Sequence, residues 1–166
     1  MQNYTTLEIY SQAILIFFIG YFLLQGSMLF YMFTHNSLLN RNKTIKKLKK
    51  LAWDEFELLC MEFFSKQGWQ VTGNEKKGAD GGIDIWMHKR SLFQTKSAIV
   101  QCKRYEDSLV TIKVVREMYG LMHEHEVEWV YIVTTSRFTK ECYKFIEDKN
   151  MILIDGNELI KQMKKL

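Results

Sequence analysis

The runs Gly78-Ala79-Asp80-Gly81-Gly82-Ile83-Asp84-Ile85-Trp86-Met87 and Ala98-Ile99-Val100-Gln101-Cys102-Lys103-Arg104 decide how this chain is read. The first leaves a glycine-rich turn and enters an apolar–polar alternation. The second is an apolar run that ends in two cations. The polar stretch between them, His88 to Ser97, reads as a hairpin, so the pair predicts strands at 82–88 and 97–104. Residues i and i+2 of a strand face the same side, which puts Gln101 and Lys103 on one face. If the two strands pair, Asp84 lies beside them, and a carboxylate, an amide oxygen and an ammonium meet in one place.

Outward from this pair the pattern is regular. Upstream, Leu48, Leu51, Ala52, Phe56, Leu59, Cys60, Phe63 and Phe64 recur at helical spacing and predict one amphipathic helix ending near Gly68, with Lys46, Lys47, Lys49 and Lys50 extending its start. Trp69-Gln70-Val71 reads as a short strand, and residues 73–82 as a loop suited to close backbone approach. Downstream, the pattern predicts a helix over 111–123, a buried strand over 129–133 and a helix over 137–148 capped by Thr135 or Ser136. A strand at 151–154 and a closing helix at 157–164 follow. The order α-β-β-β-α-β-α-β-α predicts an α/β domain, a mixed central sheet flanked by helices.

Charge divides the chain differently. No Lys or Arg precedes Arg41, and Glu8 is the only acidic residue before it. Ala13 to Phe33 reads AILIFFIGYFLLQGSMLFYMF, about the length that crosses a hydrocarbon core. Gln25 and Ser27 are tolerable there because neither is charged, and Tyr10, Tyr31 and Phe33 fall near the two interfaces. The expectation is one transmembrane helix ahead of the α/β domain, partitioned as 1–12 extracytoplasmic tail, 13–33 span, 34–50 basic juxtamembrane linker and 51–166 folded domain. Arg41, Lys43, Lys46, Lys47, Lys49 and Lys50 follow the span, so the positive-inside rule predicts an N-out, C-in anchor in the cell (inner) membrane with the domain cytoplasmic. The basic run itself has two readings, a lipid-facing topogenic segment or a contact to a nucleic-acid backbone. Cys60, Cys102 and Cys142 are odd in number and have no metal or disulfide spacing; each reads as a small buried apolar side chain.

Asp84…Gln101-x-Lys103 resembles a variant of the PD-(D/E)xK nuclease signature. With Phe56-Glu57 upstream, Val114-Val115-Arg116-Glu117-Met118-Tyr119-Gly120 downstream, then Val133-Thr134-Thr135-Ser136-Arg137-Phe138-Thr139 and Leu153-Ile154-Asp155-Gly156, the string from about Ala52 onward is similar to the Mrr-like catalytic domain of type IV restriction endonucleases. The resemblance implies a restriction-endonuclease-like core and a metal-dependent endodeoxyribonuclease acting on double-stranded DNA, foreign or modified. It implies catalytic roles for Glu57, Asp84, Gln101 and Lys103, and a Mg²⁺ site, with Mn²⁺ as substitute, formed by Asp84, Gln101 and the carbonyl of Cys102. Cutting both strands favours a homodimer. The alternative is a nuclease fold that no longer cuts and holds DNA or a partner protein at the membrane.

The individual residues carry alternatives. Glu57 is either part of the site or a surface helix glutamate paired with lysines. Asp80 either caps the turn or joins the metal shell. Arg104, Lys113 and Arg116 either contact phosphates or form surface pairs. His123-Glu124-His125-Glu126 is a poor chelator, because His-x-His on a helix points its rings about 200° apart.

Overall fold

A continuous buried run such as Ser97-Ala98-Ile99-Val100-Gln101-Cys102 needs cover on both faces, which places it at the centre of a sheet. The computed structural model, which describes residues 6–35, 37–74, 82–90 and 94–166, places it there. The sheet runs in the order β1 (Gln70–Gly73), β2 (Ile85–Arg90), β3 (Thr95–Lys103), β4 (Trp129–Thr134), β5 (Met151–Ile154). β1, β2 and β3 are antiparallel neighbours, whereas β4 and β5 run parallel to β3, so the sheet is mixed as expected.

Helices α5 (Ile112–Glu124) and α6 (Lys140–Ile146) form the crossovers that parallel strands require. Val115, Met118 and Leu121 of α5 and Cys142 of α6 pack with Ile99, Val130 and Ile132 on one face. On the other face α4 (Trp53–Lys66) buries Phe56, Leu59, Cys60, Phe63 and Phe64, with the Phe64 ring edge-on to Tyr131 at 5.1 Å. α7 (Gly156–Met163) packs against β4, β5 and α3 (Ile45–Lys50). Cys60, Cys102 and Cys142 are all free and buried.

The single helix expected from Leu48 to Gly68 is two. Leu51 and Ala52 are extended, with ψ of 145° and 164°. Thr44 caps α3 by accepting from Lys47 N–H, and Glu55 Oε2 accepts from Ala52 N–H at 2.8 Å to start α4. The carboxylate thus supplies an acceptor for a donor the helix start leaves unpaired.

The helix expected at 137–148 is also shorter. Val110 pairs in parallel with Phe138, exchanging bonds with Arg137 and Thr139, so those residues are drawn away from α6. Thr135 does not cap it; its hydroxyl donates to the Tyr105 carbonyl, and Thr139 holds the N-cap position. The hairpin expected between His88 and Ser97 tightens, because the strands extend to Arg90 and back to Thr95. Asp80 and most of the glycine-rich loop lie outside the described residues.

The chain divides into two units, Met1–Arg41 and Asn42–Leu166. The first holds α1, Thr6–His35, and a short turn of helix, α2, Leu38–Arg41. In α1 the side chains of 14–27 are exposed, Phe17, Phe22 and Leu24 among them, while Gln25 bonds the Tyr21 hydroxyl and Ser27 the Leu24 carbonyl. Among the described residues no helix is long and apolar enough to cross a membrane. The uninterrupted described side chains of α1, those of 14–27, fall short of the roughly 20 residues a span needs, and the remainder of the span expected at 13–33 lies outside them.

Candidate active site

Asp84 sits where β2 leaves the regular ladder. Ile85 faces Val100 on β3, yet the Asp84 N–H also goes to the Val100 carbonyl, at 2.9 Å. Two consecutive residues therefore address one partner, as in a β-bulge, an irregularity that re-aims a side chain. The Asp84 carboxylate turns to the backbone of β3, where Oδ2 accepts from the Cys102 N–H at 2.6 Å. Asn74 holds the neighbouring backbone, its N–H on the Asp84 carbonyl at 2.9 Å and Nδ2 on the Ile83 carbonyl at 2.8 Å.

The carboxylate opens onto a cavity of about 390 Å³ shared with Asp54, Glu57 and Met61 of α4 and with Thr72 and Asn74. Glu57 is half-buried and lines the same cavity as Asp84. Asp54 went unnoticed in the sequence; the signal was its position three residues before Glu57, on the same helix face. The Cys102 thiol is held well above its ordinary range by a hydrogen bond with Cys60 and by burial. The negative charges of Asp84 and Glu57 push it further in the same direction.

Gln101 and Lys103 share a face of β3 but do not line this cavity; the bulge, which turns Asp84 toward α4, is the reason the three do not align simply. Gln101 is 2% exposed, and its Oε1 is buried with no hydrogen-bond partner among the described residues. An orphan amide oxygen of this kind costs about 1–3 kcal/mol and calls for a reason. Its Nε2 lies against Gly82, which has φ +105°, and a Cβ there would stand 2.4 Å from it. Only glycine meets both conditions without a shift, so Gly82 is fitted onto the Gln101 amide.

Lys103 is half-buried, and its carbonyl accepts from the Thr134 hydroxyl at 2.7 Å and from the Thr135 N–H at 3.3 Å. Its ammonium has no ion pair among the described residues. Among the described residues no three His, Cys, Asp or Glu side chains converge as a metal cage. Oxygen donors of another kind lie on the neighbouring strands β2 and β3 and at their ends: the Asp84 carboxylate, the orphan Gln101 amide oxygen and a backbone carbonyl of β3. An all-oxygen set with few protein ligands is what a hard divalent cation such as Mg²⁺ accepts, and the unpartnered Gln101 oxygen fits it.

The other candidates resolve individually. Arg104 donates to the Lys49 carbonyl at 3.1 Å and to Glu106 at 3.3 Å. Arg116 lies over the Phe145 ring at 5.8 Å. His123 and His125 stack edge-on against Tyr119 and Trp86, at 4.6 and 5.0 Å, and are not a chelating pair.

Comparison with known proteins places this geometry. The restriction endonuclease family Mrr_cat matches residues 48–163. Comparison with curated proteins finds no match. Among solved structures the fold is similar to the DNA modification-dependent restriction endonuclease AspBHI, with TM-score 0.53 and 15% identity over 66% of this chain and 30% of that one. It is similar to a protein of unknown function, AF1548, with TM-score 0.52 and 17% identity over 66% of this chain and 65% of that one. It is similar also to the restriction endonuclease FokI, with TM-score 0.51 and 17% identity over 72% of this chain and 26% of that one; the DNA-bound form of FokI gives the same score. The chain thus spans less than a third of AspBHI and FokI, and at these identities the likeness concerns the fold. The match across residues 48–163, on a mixed five-stranded sheet flanked by helices, establishes that the chain belongs to the Mrr_cat family of restriction endonucleases.

Proposed function

We propose that this chain is a divalent-metal-dependent DNA endonuclease of the type IV, Mrr-like kind, hydrolysing phosphodiester bonds of foreign or modified DNA. The observation that carries the reading is the Asp84 carboxylate held on the Cys102 N–H, next to a strand whose Gln101 oxygen is buried and unpartnered. Asp84, Gln101 Oε1 and the Cys102 carbonyl would hold Mg²⁺, with Mn²⁺ as a substitute. When bound, such an ion neutralises charge on the phosphate and acidifies water.

The chain's own groups do the rest. The Cys102 N–H orients the carboxylate, and Gly82 keeps the Gln101 amide in place. Gln101 is neutral where a carboxylate would add charge, which weakens the hold on a cation. The Lys103 ammonium orients the attacking water and stabilises negative charge as the P–O bond breaks. Glu57, which lines the same cavity as Asp84, would bind the ion through a water or support a second ion. Hydrolysis of both strands favours two copies acting together.

The same reading places the enzyme at the cell (inner) membrane, with α1 as an N-out anchor and the folded unit in the cytoplasm. The exposed apolar side chains of α1, its internally bonded Gln25 and Ser27 and the cations after it support that placement. Carbonate extraction of membranes tests it: full-length protein released into the supernatant contradicts the anchor.

A second reading, a non-cleaving module that binds DNA, is favoured by one observation, that Gln101 and Lys103 do not line the cavity that holds Asp84 and Glu57. Incubating the full-length chain with methylated and unmethylated plasmid, with and without Mg²⁺ or Mn²⁺, separates the two. Metal-dependent nicking lost in Asp84→Ala supports the nuclease. Salt-sensitive binding without nicking supports the module.

A further inference from the structure

A second charged cavity, of about 500 Å³, lies between α3 and the loop after β3. Lys46, Lys49, Lys50 and Arg104 line it together with Glu106 and Asp107. The charges are layered. Lys49 and Arg104 are 30% and 27% exposed, whereas their partners Asp107 and Glu106 are 95% and 71% exposed. Lys49 and Arg104 therefore form the floor, and the carboxylates stand at the rim, where an ion pair in water is weak and easily exchanged.

Two further observations point to a missing anion. Arg104 Nη1 is anchored on the Lys49 carbonyl, which fixes the guanidinium against α3 where an anion could meet it. Lys46 and Lys50 are exposed and have no ion pair among the described residues. Arg104 directly follows Lys103, the last residue of β3, so the cavity adjoins the strand end that carries the proposed chemistry.

We propose that this cavity is a clamp for a DNA backbone phosphate flanking the one that is cut, with Glu106 and Asp107 as counterions that the phosphate displaces. The inference rests on the nuclease reading for its ligand but has its own test. Fluorescence anisotropy measures binding of a labelled duplex by the full-length chain carrying Asp84→Asn, which prevents cutting, across a salt series. Adding Lys46→Gln and Lys50→Gln is expected to weaken binding and lower the salt slope by about one, since one phosphate contact contributes about 0.9. Adding Glu106→Gln and Asp107→Asn is expected to tighten binding several-fold, an effect a purely structural role for these carboxylates would not produce.

Unchanged affinity and slope in both pairs overturn the clamp. So does a lysine effect seen only with phosphatidylglycerol vesicles, which would assign the patch to the membrane surface. Plasmid nicking by the unmodified chain is scored separately. Nicking with no charge-variant effect on DNA binding defeats the clamp alone, whereas charge-variant effects without nicking defeat the nuclease reading and leave the clamp standing.

Discussion

Replacing Gly82 by alanine tests the link between the glycine-rich turn and Gln101. Two penalties are expected. The backbone at φ +105° is one that L side chains rarely adopt, worth about 1–3 kcal/mol. The new Cβ would also stand 2.4 Å from Gln101 Nε2, about 1 Å inside ordinary contact. That atom is the end of a flexible side chain, so the amide moves rather than the backbone, at about 0.5–1.5 kcal/mol for a distorted rotamer. Together Gly82→Ala should cost about 2–4 kcal/mol, or about 3–5 °C in Tm per kcal/mol for a unit of this size. Urea denaturation of Gly82→Ala, Gln101→Ala and the double variant reads the coupling directly. With the Gln101 amide absent, only the backbone penalty remains, so the two changes should be sub-additive by about 0.5–1.5 kcal/mol. Strict additivity would refute the claim that Gly82 is fitted onto the Gln101 amide.

Three further outcomes follow from the packing. Gly156→Ala should destabilise by about 1–3 kcal/mol in thermal unfolding, because its Cβ would meet the Thr135 carbonyl at 2.6 Å and Ile45 Cδ1 at 2.9 Å, and the carbonyl cannot yield. Asp155→Ala should cost about 1 kcal/mol, since Oδ1 accepts from both Asn157 and Glu158 N–H at 2.9 Å at the start of α7; Asp155→Asn should restore most of it. The raised Cys102 thiol makes stability full below its ordinary value of 9.0 and progressively lost as pH climbs toward the folded value. Tyr131 and Tyr143, raised above 10.0, add to the loss only beyond pH 10, so a denaturation series between pH 9 and 10 should fall in the native chain and flatten in Cys102→Ala.

The parts of the fold legible in the sequence are those written in periodicity. The run through Val100, the Val130–Val133 run and the apolar stripe of α4 each announce an element and its burial, and their order gives the mixed sheet. The misread boundaries depend on long-range pairing. Nothing local says that Glu55 will reach back to Ala52 and start a new helix, or that Val110 will capture Arg137 and Thr139 and shorten α6. The candidate site divides the same way. Asp84, Gln101 and Lys103 are visible as residue types at a spacing, and Glu57 through its Phe-Glu context. That Asp84 turns toward α4 and binds the Cys102 N–H follows from a bulge, which exists only once β2 and β3 are in register. Asp54 enters the cavity because α4 presents it there, a placement that its exposed helix position alone does not reveal.

The central claim is that Asp84 and Lys103 cut DNA with a divalent ion. Its most direct test is the rate at which the full-length chain converts supercoiled plasmid to nicked and linear forms in Mg²⁺ or in EDTA, beside Asp84→Asn and Lys103→Gln variants whose thermal unfolding matches the native chain. The account predicts cleavage that requires the metal and falls by about 100-fold or more in each variant, in line with the loss of a general acid–base or charge-stabilising group. Cleavage that persists in EDTA, or that survives both substitutions, would contradict it.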